Sequence, residues 1–427
     1  MYRRTLLGRS LSLGLAGALA GCAAPFTPDD VAGTPSAPTR TADSPLPPPP
    51  TGTPLGYTHL RPDGNRLVGG TGSLPDATPV DVDLDGTPEW VVGVSLRDRV
   101  LLGVVTSGGA QAVSVAGDDV SATSLGLQPP PGPPLLVGGD DVRFAPAFGS
   151  PTTHPVPTAR GWVSVTRDGV VRLPGGGNPD VGAIPDARLV SAAGRLYVLA
   201  GRTTEYAHGV LGDEVEARSV AVLTPSSGVV AELTLPSGVI EGIAPIVADV
   251  DGDGEREVVV TASDAERGAR LVAMPESGAT AMTGPAVGTG FRWRHQLAVG
   301  PFGPDGETEV TAVKTPHIGG TAEFYRARGG RLELVASRRG YSTHRIGSRN
   351  LDTAVAGDLD GDGRVELLVP DDPQRELVGL RRVEEGVEEA WRLPLGGRLT
   401  SNLCAVAGPN GVVVAAGRAD TLRVWPA

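Results

Sequence analysis

The segment Asp249-Val250-Asp251-Gly252-Asp253-Gly254-Glu255-Arg256-Glu257 sets carboxylates at every second position, then a glycine, then a fourth acid, and runs straight into Val258-Val259-Val260. The same frame recurs at Asp81, Asp83, Asp85, Gly86 and Glu89, ahead of Trp90-Val91-Val92. It occurs a third time at Asp358, Asp360, Asp362, Gly363 and Glu366, ahead of Leu367-Leu368-Val369. Three acids in alternation can wrap a hard cation. Calcium takes six to eight oxygens and tolerates irregular geometry, so it suits such a loop. The glycine permits the sharp turn. An EF-hand would need a bidentate Glu at position twelve and a helix on each side. Position twelve here is Val92, Val260 or Val369, and the flanks are β-branched. The loop therefore joins two strands, and its alternative reading is an acidic β-turn without metal.

Spacing extends this to an architecture. The motif begins at 81, 249 and 358, with gaps of 168 and 109 residues. Those gaps are close to three and two units of about 55 residues, a repeat period that suits a four-stranded β-blade. A degenerate copy, Val299-Gly-Pro-Phe302-Gly-Pro-Asp305-Gly306-Glu-Thr-Glu309, falls between them. Barer strand–turn–strand versions lie at 132–137, 191–198 and 405–414, which brings the count to seven. The fold class expected is all-β, a seven-bladed β-propeller with Asp-rich calcium loops. Sixty-one glycines and thirty-nine prolines leave almost no long helical window. The last repeat is short, and residues 57–68 are expected to supply its missing strand near Leu422–Trp425, closing the exposed edge.

The three acidic loops resemble the calcium-bearing FG-GAP or VCBS propeller repeats, which form the head of integrin α chains and recur in secreted microbial proteins. In that family the loop reads Asp-x-Asp-x-Asp-Gly-x-x-Asp before a hydrophobic strand. Here Glu89, Glu257 and Glu366 replace the final Asp, and Phe302-Gly303-Pro304 is a partial echo of the name-giving piece. The resemblance spans residues 55–427, strongly at three loops and weakly elsewhere. It implies a propeller and one calcium per full loop. It implies no single activity, because propellers host many functions.

The N-terminus suggests a destination. Residues 1–22 hold Arg3-Arg4, an apolar run over Leu11–Ala20, and Leu19-Ala20-Gly21-Cys22. This is the pattern of a signal peptide whose apolar core is too short to span a bilayer. Cys22 after Leu-Ala-Gly resembles a lipobox cysteine, and Arg3-Arg4 resembles a twin-arginine signal, with an ordinary basic leader as the alternative. The expectation is an exported lipoprotein on the outer face of the cell membrane, held through lipidated Cys22. Residues 23–54, with Pro45-Leu-Pro-Pro-Pro-Pro50, form a Pro/Thr/Ser-rich linker that cannot build a core. Cys404, the other of two cysteines, reads as a small buried hydrophobe.

Charge narrows the partners. Cleavage before Cys22 removes Arg3, Arg4 and Arg9 and no acid, taking the net charge from −12 to −15. That balance argues against nucleic acid. No nucleophile elbow, phosphate loop or histidine-rich metal motif is present. The six histidines are scattered; around a ring, His208, His295, His317 and His344 either converge on one face or remain unrelated surface groups. The reading is a binding, adhesion or scaffolding module with an unknown protein or glycan ligand. The alternative is a carbohydrate-active enzyme, a polysaccharide lyase or sugar dehydrogenase, on the same ring.

Overall fold

The computed structural model describes residues 48–427 except positions 124 and 207. Cys22, the leader and most of the linker lie outside the described residues. The fold is all-β, with one short 3₁₀ turn at Leu74–Asp76. Its strands form successive antiparallel meanders, numbered here as units I to VIII.

Unit I holds Pro88–Ser95, Val100–Thr106, Gly109–Ala116 and Asp119–Thr123. Unit II pairs Leu135–Val137 with Arg143–Phe144 and borrows Leu55–Tyr57 from upstream. Unit III is Val156–Thr158, Gly161–Val165 and Val171–Arg172. Unit IV runs from Val190–Ala192 through Arg195–Ala200 and Ser219–Thr224 to Gly228–Thr234. Unit V is built on Ile246–Ala248, Glu257–Ser263, Arg270–Pro275 and Met282–Thr283. Unit VI is Arg294–Gly300, Glu309–Lys314, Thr321–Arg328 and Arg331–Arg339, joined to unit V by one parallel bridge. Unit VII is Val355–Asp358, Glu366–Pro370, Glu376–Val383 and Gly386–Pro394. Unit VIII is Leu399–Ala407, Val412–Arg418, Thr421–Trp425 and Val80–Asp83.

The core follows the same cyclic order. Seven hydrophobic clusters of the described residues are shared by neighbouring units: I with II through Val94 and Leu136, II with III through Leu135 and Trp162. Units III, IV and V share Val163, Val198 and Val260. Units V and VI meet at Leu271 and Val310, VI and VII at Phe324 and Leu367, VII and VIII at Leu368 and Leu403. Unit VIII then packs on unit I through Cys404, Val424 and Val91, so the series returns to its start. Cys404 is a buried free thiol here, its pKa pushed up to about 12 by burial. A ring of packed sheets is a β-propeller-like arrangement. Among the described residues the ladders form seven sheets, of which the one joining units V and VI holds two meanders, so eight meanders stand where the spacing predicts seven blades. Unit III escapes the sequence count because its short strands lie between the copies at 132 and 191 and carry no turn with alternating acids.

The seam closes by strand exchange, but with a different segment from the one expected. Val80–Asp83, not residues 57–68, pairs antiparallel with Thr421–Trp425, Val80 opposite Val424 and Asp83 opposite Thr421. Alternation explains it: Val82 is buried between units VIII and I, while Asp81 faces outward to Arg418 and Arg423. Within residues 58–66, Thr58, His59, Asn65 and Arg66 are instead buried, while Arg61 and Pro62 reach the surface. Asn65 exchanges hydrogen bonds with the Val299 backbone (2.8 and 3.1 Å), and Arg66 donates to the carbonyls of Leu297 and Leu351. Leu67–Thr71 then lies parallel to Val355–Asp358.

Candidate functional site

The acidic motifs have two different structural settings. Around 249–257 and 358–366 the flanking strands are neighbours in one sheet, with Ala248 opposite Glu257 and Gly357 opposite Glu366. The late Glu is thereby folded back onto its own loop. Glu257 accepts from the Val250 N–H (2.8 Å), and Glu366 from the Leu359 N–H (3.0 Å). Asp249 accepts from Gly252 and Gly254, and Asp358 from Gly361 and Gly363, at 2.7–3.1 Å. Gly254 (φ +89°) and Gly363 (φ +88°) take left-handed backbone that other residues resist.

The result is two matched clusters. Oxygens of Asp249, Asp251 and Glu257 lie within 4.8 Å of one another, as do those of Asp358, Asp360 and Glu366. These clusters could hold a metal ion, and an all-oxygen donor set suits a hard one. Asp253 and Asp362 stand at the margin, each accepting from the N–H two residues on, Glu255 and Arg364. Burial raises the Glu257 carboxyl, with Asp251, Asp253 and Asp249 adding repulsion. Glu366 is raised to about 7, by burial first and Asp360 next, against the lowering effect of Arg381.

The clusters differ in what faces them. Cross-strand from Glu257 stands Pro275, and among the described residues none of Asp249, Asp251, Asp253 or Glu257 makes an ion pair. Cross-strand from Glu366 stands Arg381, whose guanidinium reaches Asp360, Asp362 and Glu366 at 2.5–3.1 Å. The first cluster therefore fits a cation best, while the second already holds a protein cation. The degenerate copy goes further: Glu309 is bridged by Arg326 and Arg382, at 2.6 and 3.1 Å.

The motif at 81–89 is not brought together. Its flanking strands belong to different sheets, Val80–Asp83 to unit VIII and Pro88–Ser95 to unit I. Asp81 is taken by Arg418 and Arg423, and Asp83, Asp85 and Glu89 are exposed. Glu89 has no strand folding it back toward Asp81.

The histidines do converge. In a meander alternate turns lie at opposite ends, so the connections 201–218, 284–293, 315–320 and 340–354 share the end away from the two acidic clusters. There Trp293, fully buried, stacks on His295 (centroids 5.0 Å) and meets His344 edge-on (5.1 Å). His317 contacts His344 at 5.7 Å. Beside them His208 stacks on Phe291 at 5.2 Å, and its Nδ1 is held by the buried carboxylate of Glu241. Glu241 also accepts from Ser263 Oγ, so the serine is bound to the acid and not to the imidazole. Glu216 nearby is raised to about 9 by burial, with Glu241 and Asp186 adding to it.

Deeper in, His59 and His154 stack at 5.5 Å. Beside them Asp352, fully buried, is bound by Arg188 and by Arg66 (3.0 Å). Burial alone would raise the Asp352 carboxyl, but the two guanidinium groups hold it far below the ordinary range. Burial also drives the imidazoles of His59, His154, His295, His317 and His344 toward the neutral form, His154 and His344 to about 4. A cavity of about 20 Å³, room for roughly one water, lies between His59 and His295. Asp352 and Glu241 carry no sequence motif. Their one signal is an acid set in an apolar run, as in Val239-Ile240-Glu241-Gly242-Ile243.

No family model matches this chain, and no curated protein matches it either. Among solved structures it is similar to a quinohemoprotein alcohol dehydrogenase from Comamonas testosteroni at 10% identity and TM-score 0.42, covering 86% of this chain and 79% of that one. A second such enzyme, ADHIIG from Pseudomonas putida HK5, gives 10% identity and TM-score 0.40, with 87% and 79% covered. A chain of the mitotic checkpoint complex gives 14% and 0.37, with 82% and 95% covered.

Proposed function

We propose that this chain is an exported, lipid-anchored β-propeller of the FG-GAP/VCBS kind, with a calcium ion stabilising unit V, and that it serves as a binding module for a protein or glycan. Anchoring would come from acylated Cys22 and would place the domain on the outer face of the membrane. Asp249, Asp251 and Glu257 would hold the calcium, with Asp253 within reach. Such a site fixes the turn between two strands and compensates a charge cluster that otherwise repels itself.

The observation that carries the binding reading is the apolar rim of the histidine end. Phe291, Ile318 and Ile346 are 62%, 70% and 68% exposed; Phe291 stacks on His208, and Ile318 and Ile346 follow His317 and His344 by one and two residues in the chain. Large apolar side chains gathered at one exposed place mark interaction sites more than solvent-facing surface. Screening the protein against cell-surface glycans and wall fragments tests this. The triple variant Phe291→Ser, Ile318→Ser, Ile346→Ser should lose binding and keep its melting temperature. Binding unchanged in that variant would overturn the reading.

One observation favours the enzyme alternative. A carboxylate that fixes one imidazole nitrogen leaves the other oriented for proton transfer, as Glu241 does for His208. Incubation with polyuronates, followed for unsaturated products, tests a lyase, and His208→Gln should abolish any turnover found.

A further inference from the structure

The ladder of unit VI sets basic residues in one row and supplies a single acid to pair with them. Its register places Arg294 opposite Lys314, Lys314 opposite Thr321, and Thr321 opposite Arg339. Directly paired residues project from the same face of a sheet, on strands about 4.8 Å apart. One row across four strands thus carries three basic side chains, at the same end of the ring as the histidines. Arg292 joins them from the connection before the first strand.

Counter-charge is short. Glu323 is the one carboxylate in the group, and it is divided between Lys314 Nζ at 3.0 Å and Arg294 Nε at 2.8 Å. The Tyr325 hydroxyl donates to it as well, at 2.6 Å. Among the described residues Arg292 and Arg339 make no ion pair and no side-chain hydrogen bond. Four cations against one acid leave a local excess of three positive charges in a chain of net charge −12. Like charges in one row destabilise a sheet. A chain this acidic has ample Asp and Glu with which to pair them.

Three of the four cations line one cavity. Arg292, Lys314 and Arg339 line a space of about 370 Å³ together with Thr315, Thr321 and Gly319. That volume lies within the range of small-ligand pockets. The hydroxyls add hydrogen-bond donors, and Gly319 (φ +58°) leaves backbone open to close approach. Phe291 and Ile318, both exposed, are chain neighbours of the lining residues Arg292 and Gly319.

We infer that this cavity is a binding site for an oxyanion group, a sulfate, phosphate or carboxylate, either free or carried as an ester or acid on a larger ligand. Two unpaired guanidinium groups can each meet such a group through paired N–H donors, and Lys314 adds a point charge between them. The assignment rests on reading this end of the ring as the recognition surface, and it names the chemistry that surface selects.

The test is calorimetric titration at low ionic strength with inorganic sulfate, glucose 6-sulfate and, as the neutral control, glucose. Saturable binding of sulfate or its ester, with none of glucose, is expected. Tighter binding of the ester identifies a conjugated anion, and equal binding identifies the free ion; both support the site. In Arg292→Gln/Arg339→Gln affinity should fall at least about tenfold, since each charged hydrogen-bonding partner contributes that much or more. Both arginines are exposed and unpaired, so the double variant should melt at the same temperature without ligand or slightly higher. Equal affinity in parent and double variant, or no saturable binding to the parent, overturns the proposal. Because the probes are simple anions, that failure is separate from a failure of the glycan screen, which reads the apolar rim.

Discussion

Arg381 stands directly across the ladder from Glu366, its Nε donating to Oε1 at 3.1 Å, and so puts a fixed positive charge into a loop whose sequence otherwise matches its counterpart at 249–257. A guanidinium and a metal ion compete for the same carboxylates. Calcium should therefore bind with a stoichiometry near one, not the three that the motif count implies. Arg381→Gln should add a second site, and Asp251→Ala with Asp253→Ala should remove the first. Saturating the native state at a hundredfold excess over Kd stabilises by about 2.7 kcal/mol per site. Calorimetric titration and melts with and without chelator check this. A parent protein that takes up two calcium ions equally would show that Arg381 does not compete.

The closing strand makes a second expectation. Val82 is buried between units VIII and I and lies on the strand, Val80–Asp83, that completes the sheet of Thr421–Trp425. Val82→Ala should cost about 1.5–2 kcal/mol, from the transfer of two methyl groups and the cavity left behind. Deleting residues through Asp83 should lower the melting temperature far more, since it exposes a strand edge. Deleting only through Pro50 should change it little, and equal effects of both truncations would refute this closure.

Asp352 offers a third. It bridges Arg66 and Arg188, which come from segments far apart in the chain, in a fully buried position. Asp352→Asn leaves two guanidinium groups uncompensated, and removing one partner of a buried ion pair typically costs about 3–5 kcal/mol. Chemical denaturation measures it. A cost below about 1 kcal/mol would mean water reaches the group.

Acid should destabilise the ring through its buried histidines. His59, His154, His295 and His344 all have pKa values lowered by burial, the second and fourth to about 4. In the unfolded chain they take protons near pH 6.5, while the folded state refuses them. Stability is then unaffected above pH 6.5 and is lost as pH falls from there toward 4, at about 1.4 kcal/mol per pH unit for each such group. Glu216, raised to about 9, acts oppositely and loses stability as pH rises from the ordinary carboxylate range toward 9. Melting curves across pH 4–7 should flatten by one proton in His154→Gln. An unchanged slope would place that imidazole in contact with water.

Much of this protein is legible in its residues because the informative interactions are local. Alternating acids, a glycine and a following apolar run specify a strand–turn–strand wherever they occur, and the turns at 249–257 and 358–366 form as their sequence implies. A regular period of such units implied stacked sheets and an all-β ring. What residues alone could not decide is which strands become neighbours. The copy at 81–89 has the same local pattern, yet its two strands enter different sheets, so its acids never meet. Arg381 and Pro275 are equally invisible as determinants until the ladder sets them opposite Glu366 and Glu257. The histidine cluster, the Asp352 ion triad and the basic row of unit VI likewise join residues separated by tens to hundreds of positions. Those contacts are set by register and by ring closure, which depend on the packing of the whole core, and a one-dimensional pattern carries no term for that.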